Sequence, residues 1–171
     1  MTGRLAVVVA SQGRPTLERT VASVAPQLCP GDRLIVDLNN DGAWGAHARN
    51  RQIDALQSAA DWPAVEWLMF LDDDDVYVPG ALEAVRARVG ELPADYAVHV
   101  FRMRYADGSS LWQEARILPG NVGTPMVVVP AITAARFGLS YIGDCDFIQQ
   151  AAAEAGRVVW HPETIALIRP T

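Results

Sequence analysis

The stretch Trp67–Pro79, WLMFLDDDDVYVP, decides how this chain is read. Its first five residues, Trp67 to Leu71, are large and apolar, the length and make-up of a strand buried on both faces. Four consecutive carboxylates, Asp72, Asp73, Asp74 and Asp75, follow at once. Neighbouring carboxylates repel by about 1 kcal/mol per pair at 4 Å in water, and several-fold more where water is partly excluded. A bound divalent cation relieves that repulsion. In an extended chain side chains alternate, which sends Asp72 and Asp74 to one side and Asp73 and Asp75 to the other. One such pair can share a metal.

Four readings compete for the acidic run. A calcium loop of the EF-hand kind starting at Asp72 requires an oxygen ligand at Val76 and a glycine at Tyr77, and only Glu83 fits its place. The aspartate-nucleophile phosphatases of the haloacid dehalogenase type resemble FLDDDDV more closely, but they use a basic residue, usually lysine, and this chain has none. A metal-dependent nucleotide-sugar site asks only for Asp-x-Asp after a buried strand. A solvated acidic turn is the bland alternative, although such turns rarely abut so apolar a strand.

The composition narrows the field. A chain of 171 residues is read as one domain, long enough to bury about 70% of its extended surface without disulfides. A net charge of -6 and a pI near 4.9 argue against general binding to nucleic acid or to anionic membranes. All fourteen basic residues are arginines, which removes the Walker A phosphate loop and Schiff-base chemistry. Two cysteines, Cys29 and Cys145, make neither a disulfide framework nor a zinc site and fit a cytoplasmic location. Neither a signal peptide nor a membrane span is read at Met1–Ala10.

Strands and helices alternate through the first half. Leu5–Ala10 reads as a buried strand, and Pro15 opens a helix with Leu17, Val21, Val24 and Leu28 on one stripe. Arg33–Leu38 is a second strand, followed by a helix from about Ala46 to Ala60 that Trp62 and Pro63 close. The acidic strand comes third, and Pro79 and Gly80 open a helix carrying Leu82, Val85 and Val89. Three successive strand–helix units predict an α/β fold, a mostly parallel sheet with helices on both faces. Ligands bind such sheets beyond the carboxyl edge, where Ser11–Arg14, Asp37–Gly42 and Asp72–Asp75 gather. From Tyr96 the pattern changes. Val98–Arg104 and Leu111–Ile117 read as a hairpin, Met126–Val129 as a short strand and Asp144–Gly156 as a helix. Val158–Trp160 reads as the last strand, and His161 and Pro162 as the start of a tail.

Taken together these segments resemble glycosyltransferase family 2, of the GT-A fold. Arg14, Leu17 and Ser23 match its opening stretch, Val36, Asp37, Asn40 and Asp41 its aspartate loop, and Ala48, Arg49 and Asn50 its ARN segment. Phe70, Leu71, Asp72, Asp74, Asp75 and Pro79 match its LDxDD block, the sharpest. Gly143, Asp144, Cys145, Asp146 and Phe147 resemble its later EDxD segment, with Gly143 in place of the glutamate. The resemblance implies one GT-A domain over residues 1–171, with a nucleotide-binding half at 1–95 and an acceptor-side half at 96–171.

It also implies an activity, the inverting transfer of a sugar from a UDP-sugar to an acceptor hydroxyl with Mn2+ or Mg2+ as cofactor. Ser11, Arg14, Asp37, Asn39, Arg49, Asp72 and Asp73 would then bind the donor. Asp37 would accept from the base NH, and Arg49 would meet the diphosphate or the base. Asp74 and Asp72, with His161, would hold the metal. Asp144, or Asp146 after it, would be the general base. Trp112 would either stack on a sugar or sit in the core, and Trp44 would lie over the nucleotide as a lid. The acceptor, a glycan or a protein, is expected to be soluble or presented by another protein. Two alternatives remain at this point, a non-catalytic nucleotide- and metal-binding module of the same fold and the phosphohydrolase.

Overall fold

The computed structural model describes residues 4–39, 42–59, 65–89 and 97–170. Its centre is β1 (Leu5–Ala10), LAVVVA, buried at every position. Stiff β-branched side chains favour the extended backbone, and a strand with no exposed residue must be covered on both faces. Its neighbours β2 (Arg33–Asp37) and β3 (Trp67–Asp72) run parallel to it. Helix α1 (Leu17–Val24) connects β1 to β2, and α2 (Ala46–Ser58) connects β2 to β3. Ala10 stands opposite both Asp37 and Asp72, so the carboxyl ends of all three strands are level. That rim is where the sequence places the ligand.

Past β3 the sheet continues in the order β3-β7-β5-β8-β4, with β6 against β5. The strands are β4 (Val76–Tyr77), β5 (Val98–Tyr105), β6 (Ser110–Leu111), β7 (Val127–Pro130) and β8 (Val158–Ile168). Helices α3 (Ala81–Val89) and α4 (Gly143–Ala155) complete the fold. The long ladders, β1–β2, β1–β3 and β5–β8, are parallel, and the antiparallel pairings are short. The α/β fold with a mostly parallel sheet is therefore as expected, with β7 inserted in reverse between β3 and β5. Strands from both halves of the chain share this one sheet.

Two expectations require correction, and a third feature was not anticipated. The last strand does not stop at Trp160 but runs to Ile168, so His161 lies within it. Pro162 would interrupt a regular ladder, but the register of β8 on β5 jumps from Val100↔Trp160 to Arg102↔Thr164, and the proline sits in that irregularity. The expected hairpin over Leu111–Ile117 shrinks to two residues, Ser110 and Leu111. The third is β4, which alternation could not reveal in two residues and which exists because β8 is long enough to pair with it. Trp62, Pro63 and Tyr96 lie outside the described residues.

Below the rim Phe70, Phe137 and Phe147 form one aromatic cluster, with centroids 4.0 to 5.4 Å apart. Burying each ring is worth about 1.5–3 kcal/mol, so this cluster locks the start of α4 onto β3 two residues from Asp72. Among the described residues no helix is long and apolar enough to cross a membrane.

Candidate active site

The acidic run turns rather than extending. The Asp75 N–H donates to the Asp72 carbonyl at 3.2 Å, because Val76 and Tyr77 must swing across to pair with Leu167 and Ala166. Strict alternation is therefore lost. Carboxylate oxygens of Asp72, Asp74 and Asp75 lie within 4.8 Å of one another, a group that does not include Asp73. Asp73 is buried, and its Oδ2 accepts from Ser11 Oγ at 2.7 Å and from the Gln12 N–H at 2.9 Å. Ser11 and Asp73 thus staple the first loop to the third.

Arginines face the cluster. Arg14 Nη1 donates to Asp74 Oδ2 at 2.9 Å and stands 3.2 Å from Asp73 Oδ1. Arg169 places its Nε 3.2 Å from Asp74 Oδ2, and its backbone N–H donates to Asp75 Oδ1 at 3.0 Å. Sequence reading missed Arg169, whose one signal is its place just beyond the last strand. Burial, joined by the charges of Asp72 and Asp74, pushes the Asp75 carboxyl up to about 7, against the opposing Arg169 N–H.

Arg49, on the first turns of α2, is only 3% exposed. Its guanidinium pairs with Asp72, donates to the Trp44 carbonyl at 2.7 Å and lies 5.1 Å from the centre of the Phe137 ring. Gly45 makes room for it, since a Cβ there would stand 2.9 Å from Arg49 Nη1, and its φ of +79° suits glycine.

Most of these groups, though neither Ser11 nor Asp75, line one cavity of about 490 Å³. Arg14, Arg49 and Arg169 supply its positive charge, and Asp72, Asp73, Asp74 and Asp144 its negative charge. Asp144 sits in the first turn of α4. Burial raises its carboxyl above the usual range, with Asp72 adding to the rise, while the Cys145 N–H and Arg49 oppose it. Asp146 does not line the cavity, and it lies instead beneath Gly138, whose Cβ would stand 3.0 Å from Asp146 Oδ2.

Several expected residues stand apart from the cavity. Asp37 closes β2 on the rim, but its carboxylate accepts from Arg51 Nε and Nη2, from Gln52 Nε2 at 2.7 Å and from the Asn39 N–H at 2.9 Å. Burial alone would raise this carboxyl, yet those donors hold it below the usual range. It anchors α2, and neither Asp37 nor Asn39 lines the cavity. His161 is also placed differently from the expectation. It is buried within β8, its ring stacked on His99 and Phe101, with Nε2 2.9 Å from His99 Nδ1. The third group beside Asp72 and Asp74 is Asp75. Trp112 packs edge-on against Trp160 under the Arg102 guanidinium, which is the core reading rather than the sugar-stacking one.

The oxygen set fits a hard cation. Three carboxylates converging without nitrogen or sulfur suit magnesium or manganese.

The family model described as Glycosyl transferase family 2 matches residues 39–132, more than half of the chain. The chain belongs to glycosyl transferase family 2. The matched segment carries the ARN and LDDDD motifs and leaves the phosphohydrolase reading without support. No curated protein sequence matches the chain. Solved structures agree on the family 2 fold. S. aureus TarS 1-349 superposes with a TM-score of 0.71 at 17% identity, covering 96% of this chain and 60% of that one. The same protein in complex with UDP-GlcNAc gives 0.67 at 16% identity, over 96% and 58%. A glycosyltransferase involved in glycosylation of the major capsid of PBCV-1 gives 0.55 at 11% identity, over 96% and 92%. This family 2 chain spans about three fifths of TarS 1-349.

Proposed function

We propose that this domain transfers a sugar from a UDP-sugar to an acceptor hydroxyl, with metal assistance and inversion at the anomeric carbon. The observation that carries the reading is that Asp144 and the Asp72–Asp74 cluster face one cavity that also presents three arginines. TarS, of the same fold, has been solved with UDP-GlcNAc and with UDP, which supports a uridine diphosphate donor here.

Asp72, Asp74 and Asp75 would hold Mn2+ or Mg2+, which as a Lewis acid offsets the charge of the departing diphosphate. Arg14 and Arg169 exchange their pairing with Asp74 for the diphosphate oxygens, and Arg49 holds Asp72 in place from below. Asp144 takes the proton of the acceptor hydroxyl. The acceptor oxygen then bonds to the anomeric carbon as the bond from that carbon to the phosphate oxygen breaks, and UDP leaves with the electron pair. A carboxylate whose pKa is raised by burial is a stronger base for that step than a solvated one. Asp73 shapes the wall, held in place by Ser11 behind it. Asp37 would reach a base NH only after releasing Gln52 or Arg51.

A thermal-shift screen of nucleoside diphosphates with and without manganese tests the reading. At a hundredfold excess over Kd, binding adds about 2.7 kcal/mol of stability. A rise in Tm with UDP that requires manganese is the expected result, and equal shifts with every nucleotide, metal or none, would refute it.

A further inference from the structure

Two exposed aromatic side chains meet over the mouth of the cavity. Trp44 is 67% exposed and Tyr141 78% exposed, yet their rings pack edge to face with centroids 5.4 Å apart. Both line the cavity, and they come from loops almost a hundred residues apart in sequence. Large aromatic faces left open to water at the entrance of a charged cavity are where a ring with one apolar face and polar edges would sit.

Neither loop is slack. Gly42, Ala43, Trp44 and Gly45 all have left-handed φ values, of 108°, 49°, 55° and 79°, and the Trp44 carbonyl is held by Arg49. Such a conformation at Ala43 and Trp44 costs free energy that packing alone does not recover for an exposed side chain. On the other side, the Gly138 N–H donates to the Gly143 carbonyl at 3.4 Å and the Gly143 N–H to the Ser140 carbonyl at 3.0 Å, closing the loop that presents Tyr141. Tyr141 stands three residues before Asp144. A molecule whose hydroxyl reaches Asp144 from the mouth therefore lies against this pair of rings, which line the same cavity as Asp144.

We propose that Trp44 and Tyr141 form the acceptor platform, on which the C–H face of a pyranose ring stacks while one of its hydroxyls reaches Asp144. This inference rests on the transferase reading and narrows the acceptor to a saccharide. A nucleotide base is the other flat ring available, but a base at this mouth would block the path of the acceptor to Asp144.

Saturation-transfer NMR on the full chain, with UDP and magnesium present, tests it using methyl β-D-glucopyranoside, methyl N-acetyl-β-D-glucosaminide and methyl β-D-galactopyranoside as probes. At least one glycoside should show strongest saturation on the protons of a single ring face. That signal should fall at least about fivefold in Trp44→Ala and Tyr141→Ala and survive in Tyr141→Phe, with UDP affinity unchanged throughout. Unaltered saturation in both alanine variants overturns the platform, as does silence from all three glycosides in a protein that binds UDP. Loss of UDP binding in both alanine variants would move the pair to the nucleotide and also overturn it. If the unmodified protein fails to bind UDP, the transferase reading fails by itself, and the same glycoside comparison without UDP still decides the platform.

Discussion

A Cβ on Gly143 would lie 2.1 Å from the carbonyl oxygen of Gly138. The resemblance to family 2 puts a glutamate at this position, and here the backbone leaves no space for any side chain. The close approach is what closes the Tyr141 loop against α4, so the glycine is a consequence of the local fold rather than a sign of lost chemistry.

Gly143→Ala and Gly143→Glu should therefore both destabilise the protein, by about 1–3 kcal/mol, because the obstacle is backbone and cannot rotate away. Tm should fall by several degrees in a melting experiment. Restoring the family's glutamate should lower transfer activity, since Asp144 moves with its neighbour.

Asp144→Asn should lower transfer by about 10²- to 10⁴-fold while leaving the UDP thermal shift intact. Asp146→Asn should cost far less, because Asp146 lies outside the cavity. Initial rates with a saccharide acceptor read the difference: equal transfer by Asp144→Asn and the parent would remove Asp144 as the base, and donor hydrolysis without transfer, unchanged in Asp144→Asn, would favour a non-catalytic module.

Asp74→Ala should abolish the manganese-dependent part of the UDP shift. Asp74 is the carboxylate that both Arg14 and Arg169 engage, so its loss removes a metal ligand and a partner of two guanidiniums, with Asp73 still beside Arg14. A metal-dependent shift of unchanged size would remove the assignment.

Arg49→Lys keeps the charge but loses the planar fork that joins Asp72 to the Trp44 carbonyl. UDP affinity should weaken about tenfold, and Tm should drop with it as roughly 1–3 kcal/mol of charged hydrogen bonding is lost. Isothermal titration and melting curves measure the two effects separately.

The buried His99 is pushed down to about 4, chiefly by burial and further by His161 and Arg157. Its unfolded pKa of 6.5 lies higher, so between about 6.5 and 4 the unfolded chain binds a proton that the native state refuses. Stability contributed by this group is complete above the window and is lost as pH falls through it. Denaturation midpoints at pH ~7, ~5.5 and ~4.5 should decline in the parent, and the decline should be shallower in His99→Gln.

Much of the fold was legible because its signals are local. Runs such as Leu5–Ala10 and Trp67–Leu71 cannot be solvated, glycine and proline mark where they stop, and alternation with amphipathic helices dictates parallel pairing. The acidic run was legible for the same reason, since four adjacent carboxylates after an apolar strand have few stable arrangements. Local pattern could not reach contacts between distant segments. The turn at Asp72–Asp75 depends on a pairing with Leu167, and it is this pairing that brings Asp75 to Asp72 and Asp74. Arg169 at Asp74, the His161–His99 pair and the donors on Asp37 follow from strand order and register, as does the meeting of Trp44 with Tyr141. By itself the sequence determined which segments must be buried and where carboxylates crowd. The tertiary structure alone decided which of those carboxylates share a cavity, because side-chain direction at a strand's end is set by what the next strand pairs with.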